Sequence, residues 1–103
     1  MDSYDVDEQM TAFHAVFTNE VSLPAEATIV GVSVQVLDVD IRASGSELTA
    51  HCRHGADHQE PSLADLVFPP QTVGAWIHAG YRRCLGVQPY PATMPPGWKP
   101  SWL

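Results

Sequence analysis

Basic residues are scarce in this chain. Five Lys and Arg face twelve Asp and Glu, a formal net charge of −7, and no base precedes Arg42. Eight acids (Asp2, Asp5, Asp7, Glu8, Glu20, Glu26, Asp38 and Asp40) fill that first stretch. Such a surface repels phosphate, which argues against nucleic acid or an anionic membrane as partner. Cysteine is equally rare: Cys52 and Cys84 are the only two, too few for a disulfide framework. Each falls at an apolar position of its segment, where the thiol serves as a small hydrophobe. No apolar run approaches the roughly 20 residues of a membrane span. The acidic start MDSYDVDEQ is unlike a secretory leader, so the expected location is cytoplasmic. The glycines form no phosphate-cradling pattern, and neither a Gly-x-Ser-x-Gly elbow nor a calcium loop is present.

What is abundant is apolar patterning. With 45% hydrophobic and 17% charged residues over 103 positions, the chain reads as a single globular domain, residues 1–103. Residues 27–42, ATIVGVSVQVLDVDIR, alternate, but the alternation changes phase. Val30, Val32, Val34 and Val36 share one parity; Leu37, Val39 and Ile41 take the other. One extra residue near Val36-Leu37 produces such a slip, so the expectation is a single strand from Ala27 to about Arg42, bent by a β-bulge. Ala43-Ser44-Gly45-Ser46 reads as a turn, and Glu47–Arg53 alternates cleanly, completing a hairpin with one wet face. His54–His58 forms a second turn. Residues 59–68 suit either another strand or a short helical turn opened by Ser62.

Two helices flank this sheet. Residues 6–20 place Met10, Phe13, Phe17 and Val21 at helical spacing, with Asp5 as a capping residue. Residues 71–85 place Val73, Trp76, Ile77, Tyr81, Cys84 and Leu85 on one stripe, with Gly86 to close the helix. Gly74 and Gly80 cost this helix about 1 kcal/mol each, and close approach of a sheet at Gly80 would explain one of them. Residues 86–103 hold five of the nine prolines with Tyr90, Trp98 and Trp102, which predicts an extended tail. The expected fold is α+β: a small, strongly bent antiparallel sheet between two helices. With its bent strand, hairpin and Ser62–Phe68 segment it resembles a partly open SH3-like or Tudor-like barrel in architecture.

Function is less legible, because fold does not specify it. The favoured reading is a non-catalytic interaction or regulatory protein, of the inhibitor, immunity or accessory-subunit type. Its acidic surface, including Asp38 and Asp40, would steer a basic protein partner, while Tyr90, Trp98 and Trp102 anchor the contact. A second reading is a small enzyme or ligand binder with a pocket between sheet and C-terminal helix, lined by Trp76, Tyr81, His78 and His51. A third is a metal module using His51, His54 and His58, with zinc as the cofactor. The first reading needs no cofactor. Arg42 and Arg53 are expected to neutralise Asp38 and Asp40 across the hairpin.

Overall fold

A computed structural model describes residues 6–42 and 47–99. Helix α1 spans Val6–Glu20, strands β1 to β4 span Ala25–Ile29, Val32–Ile41, Leu48–His54 and Asp57–Gln59, and helix α2 spans Val73–Cys84. A single 3-10 turn, Leu63–Asp65, lies between β4 and α2. The strands form an open antiparallel sheet in the order β1-β2-β3-β4. The result is an α+β fold.

The slip in alternation is a register shift. Val36 pairs with Cys52 and Asp38 pairs with His51, so Leu37 is the extra residue. On either side of it Val34, Val36 and Val39 all point inward and are buried. A bulge disturbs the ladder locally, and here the Asp38 carboxylate accepts the Val39 N–H at 2.8 Å. Asp38 therefore has a local job at the bend, while Asp40 stands exposed on the outer face.

The expected single strand over residues 27–42 is instead two strands. Val30 and Gly31 make a two-residue reversal, both with positive φ (50° and 78°), and Ile29 pairs with Val32 across it. A β-branched residue rarely adopts that conformation, so nothing in Val-Gly announces a turn. Val30 is correspondingly not in phase with the buried valines: it is 95% exposed. The two strands still share one interior through Ala27, Val34, Val36 and Val39.

The second hairpin falls where the pattern placed it, with Ile41 opposite Leu48 and the Arg42 N–H donating to the Glu47 carbonyl. Its expected turn, residues 43–46, lies outside the described residues. Arg42 pairs with Glu47 (3.4 Å) and Arg53 with the Gln35 amide oxygen (2.6 Å), so the expected neutralisation of Asp38 and Asp40 gives way to nearer partners. After β4 the chain bridges Thr49 from Ser62, passes through the 3-10 turn, and reaches the opposite edge of the sheet. There Val67 and Thr28 exchange two backbone hydrogen bonds of 2.8 Å.

The core forms where α1, α2 and the Leu63–Phe68 segment cover one sheet face. Met10, Phe17 and Val21 enter from the first helical region, and Ala75, Ile77 and Tyr81 from α2. Leu48, Ala50 and Cys52 contribute the β3 side. The Asp5 cap expected for α1 is outside the described residues. Within α1, His14 donates from Nε2 to the Val39 carbonyl at 2.7 Å, tying helix to bulge.

Helix α2 is rotated relative to its expected stripe. Gly74, Ile77, His78 and Tyr81 face the core; Trp76 (38% exposed) and Cys84 face outward. Gly74 permits close packing on this face, since a Cβ there would lie 3.0 Å from the Phe68 ring. The close approach expected at Gly80 is absent: a Cβ there would meet only Phe13, at an ordinary 3.8 Å. Thr72 caps the helix by accepting the Ala75 N–H, and Gly86 closes it with φ 81°. Cys84, expected at an apolar position, instead donates from Sγ to the Gln9 side chain.

Candidate functional site

Arg82 sits in the last turn of α2 and anchors the C-terminal tail. Its Nη1 donates to the Ala64 carbonyl at 2.5 Å and its Nε to the Gln88 carbonyl at 2.8 Å. The guanidinium lies 4.1 Å from the centre of the Tyr90 ring, a cation–π distance. Tyr90 also stacks on His78, one turn earlier, with ring centroids 6.1 Å apart and planes 6° from parallel. Farther along, the Thr93 N–H donates to the Pro70 carbonyl at 2.9 Å. Residues 87–99 contain no helix or strand, yet Ala92 and Trp98 rest against the core.

Because the tail is held at these points, it runs beside α2 and leaves a groove. Trp76, Ala79, Gly80 and Arg83 form one wall and residues 88–92 the other, enclosing about 750 Å³. The helical wall is spaced three and four residues apart, with small residues between an indole and a guanidinium. Trp76 is thus an exposed aromatic in a concave setting, and Arg83 supplies a planar set of donors. Partner-contact hot spots favour these residue types.

Comparison with protein-family models, curated proteins and solved structures yields no match.

The residues expected to bind a partner are dispersed. Tyr90 and Trp98 are half-buried against the body, Asp38 and Asp40 lie on the exposed sheet face, and Trp102 is outside the described residues. Of the residues expected to line a ligand pocket, only His78 and Tyr81 are neighbours, with ring centroids 6.4 Å apart. His78 and Tyr81 are buried in the core, Trp76 faces the groove, and His51 lies at the β3–β4 hairpin.

Both buried groups have structural partners. His78 donates from Nε2 to the Leu63 carbonyl at 2.7 Å. Burial, aided by the Arg82 charge and opposed by that hydrogen bond, holds its pKa below the ordinary 6.5. Tyr81 accepts the Leu48 N–H at 2.8 Å, and burial pushes its phenol upward. The Cys52 thiol is also raised by burial, as befits an inert core residue.

Of the expected metal ligands, His51 and His58 meet across the β3–β4 hairpin, with Nε2 and Nδ1 3.1 Å apart. His54 turns away and donates from Nδ1 to the Ser33 carbonyl at 2.9 Å. Among the described residues no three His, Cys, Asp or Glu side chains gather in a metal-holding arrangement. The groove escaped sequence reasoning because it needs Trp76 outside and His78 inside, the reverse of their hydropathy. No signal in the sequence points to it, because Gly80 reads there as a point of close approach to the sheet.

Proposed function

We propose that the chain is a non-catalytic interaction protein whose α2–tail groove receives an apolar side chain from a basic protein partner. The observation that carries this reading is the exposed Trp76 indole beside the small floor of Ala79 and Gly80. Aromatic and arginine residues at the rim of a concave apolar surface suit protein contacts better than bond-making chemistry. Arg83 would donate to carbonyl oxygens of the partner's main chain. Tyr90 keeps one part of its ring in the groove while Arg82 holds it from behind.

Charge supports the choice of partner. A net −7 on 103 residues raises the encounter rate with a basic protein, through a field that salt screens. Glu26, Asp40 and Glu60 are exposed members of that field. The finer architecture we favour is a partly open SH3-like barrel. The Thr28–Val67 bridge after a 3-10 turn supports it, because it brings the chain from one sheet edge to the other.

The test is capture of partner proteins from an extract of the cells that make this protein, using wild type and Trp76→Ser. We expect Trp76→Ser to melt like the wild type, yet to lose a partner that the wild type retains at low salt and releases at high salt. Equal capture by both proteins, or capture indifferent to salt, would rule the reading out.

A further inference from the structure

The β3–β4 hairpin holds a pair of imidazoles that the groove does not use. His51 Nε2 and His58 Nδ1 face each other at 3.1 Å, and their ring centroids are 5.2 Å apart. Neither ring is buried: His58 is exposed and His51 partly so. We propose that these two nitrogens form a binding site for a late first-row divalent ion, such as Cu²⁺, Ni²⁺ or Zn²⁺, with water completing its coordination.

The spacing of the two nitrogens suits one shared ion. Two nitrogens each ~2.05 Å from one ion and 109° apart lie about 3.3 Å from each other, and at 90° about 2.9 Å. The observed 3.1 Å falls between these values. For ligands in the ring planes, the tetrahedral case puts the ring centres about 5.2 Å apart, which is the observed spacing, and asks the two nitrogens to part by only about 0.2 Å. Small rotations of the two rings, well within the freedom of exposed side chains, bring both lone pairs onto one point.

Proton placement is consistent. The Glu60 carboxylate lies 3.6 Å from His51 Nδ1 and favours the tautomer with hydrogen on that nitrogen. Nε2 of His51 then carries a lone pair, and in the ion-free pair His58 must donate from Nδ1. Moving the His58 hydrogen to its other nitrogen, Nε2, frees the second lone pair without changing any charge. Glu60 would then stand behind a ligating histidine, the carboxylate–histidine arrangement that orients and strengthens such ligands. Imidazole suits copper, nickel and zinc, and copper should bind tightest. His54 is no ligand, since its Nδ1 is engaged with Ser33.

Titration calorimetry of the tag-free, full-length protein with Cu²⁺, Ni²⁺ and Zn²⁺ tests the site. We expect one saturable ion per chain, and weakening by about tenfold or more in His58→Ala, with His54→Ala unchanged. Proton NMR with Ni²⁺ or Cu²⁺ provides a second measurement that does not depend on any variant. The ring signals of His51 and His58 should broaden first, while those of His14 and His78 persist. The proposal is overturned if the wild type shows no saturable binding at millimolar ion, if His58→Ala binds as well as the wild type, or if other histidines broaden first.

Discussion

Replacing Val30 by Asn should make this protein more stable, although it removes a large apolar side chain. Val30 holds φ at 50° and Gly31 follows at 78°, the pair of positive angles that a tight hairpin reversal demands. An L-residue in that region costs roughly 1–2 kcal/mol, and a second branch at Cβ worsens the fit. Asn tolerates the conformation, and Asn-Gly is the favoured pair for this kind of turn. Nothing is lost in return, because the Val30 side chain is 95% exposed. The expected gain is about 1 kcal/mol, which for a domain of this size raises Tm by roughly 4–8 °C. Thermal and urea melts followed by circular dichroism would read it, with the urea slope unchanged. Val32→Asn supplies the contrast: it lies in the strand, where Asn is disfavoured, and should be neutral or destabilising. A Val30→Asn protein that melts at or below the wild-type temperature would refute the reasoning.

Two further outcomes concern buried groups. Tyr81→Phe removes the acceptor of the Leu48 N–H and leaves that donor buried, so we expect a loss of about 1–3 kcal/mol in urea unfolding; a loss too small to measure would mean the bond contributes nothing. His78 is held neutral in the fold, with its pKa below the unfolded 6.5, so the unfolded chain binds protons first. Its contribution is therefore complete above pH 6.5 and declines as pH falls below that, by at most about 1.4 kcal/mol per pH unit. Melts of wild type and His78→Gln from pH 7.5 down to about pH 5 should converge as pH falls; parallel curves would contradict this.

The sheet was legible where side chains spoke for backbone. The step from Val36 to Val39 shows the extra residue without any structure, because inward positions elsewhere in the strand lie two apart. The β1–β2 reversal was hidden for the converse reason. Val30 continues the valine series, and its backbone is imposed by the flanking strands pairing around it. The face of α2 was misread because hydropathy ranks Trp76 above His78. In the fold, the Leu63 carbonyl and the Phe68, Tyr81 and Tyr90 rings make the interior a good place for an imidazole. Gly74 lets the Phe68 ring pack against the helix backbone on that face. The His51–His58 pairing depends on the register of β4, a three-residue strand with no apolar pattern to announce it.

The register shift in β2 has one more consequence. Omitting Leu37 would restore an unbroken two-residue rhythm in which Val34, Val36 and Val39 still point inward and Cys52, His51 and Ala50 keep their partners. Curvature and sidedness are thus written independently into this strand. A straighter version is a single deletion away, and every buried valine could stay where it is. The irregularity of the ladder is thus separable from the composition of the interior it lines.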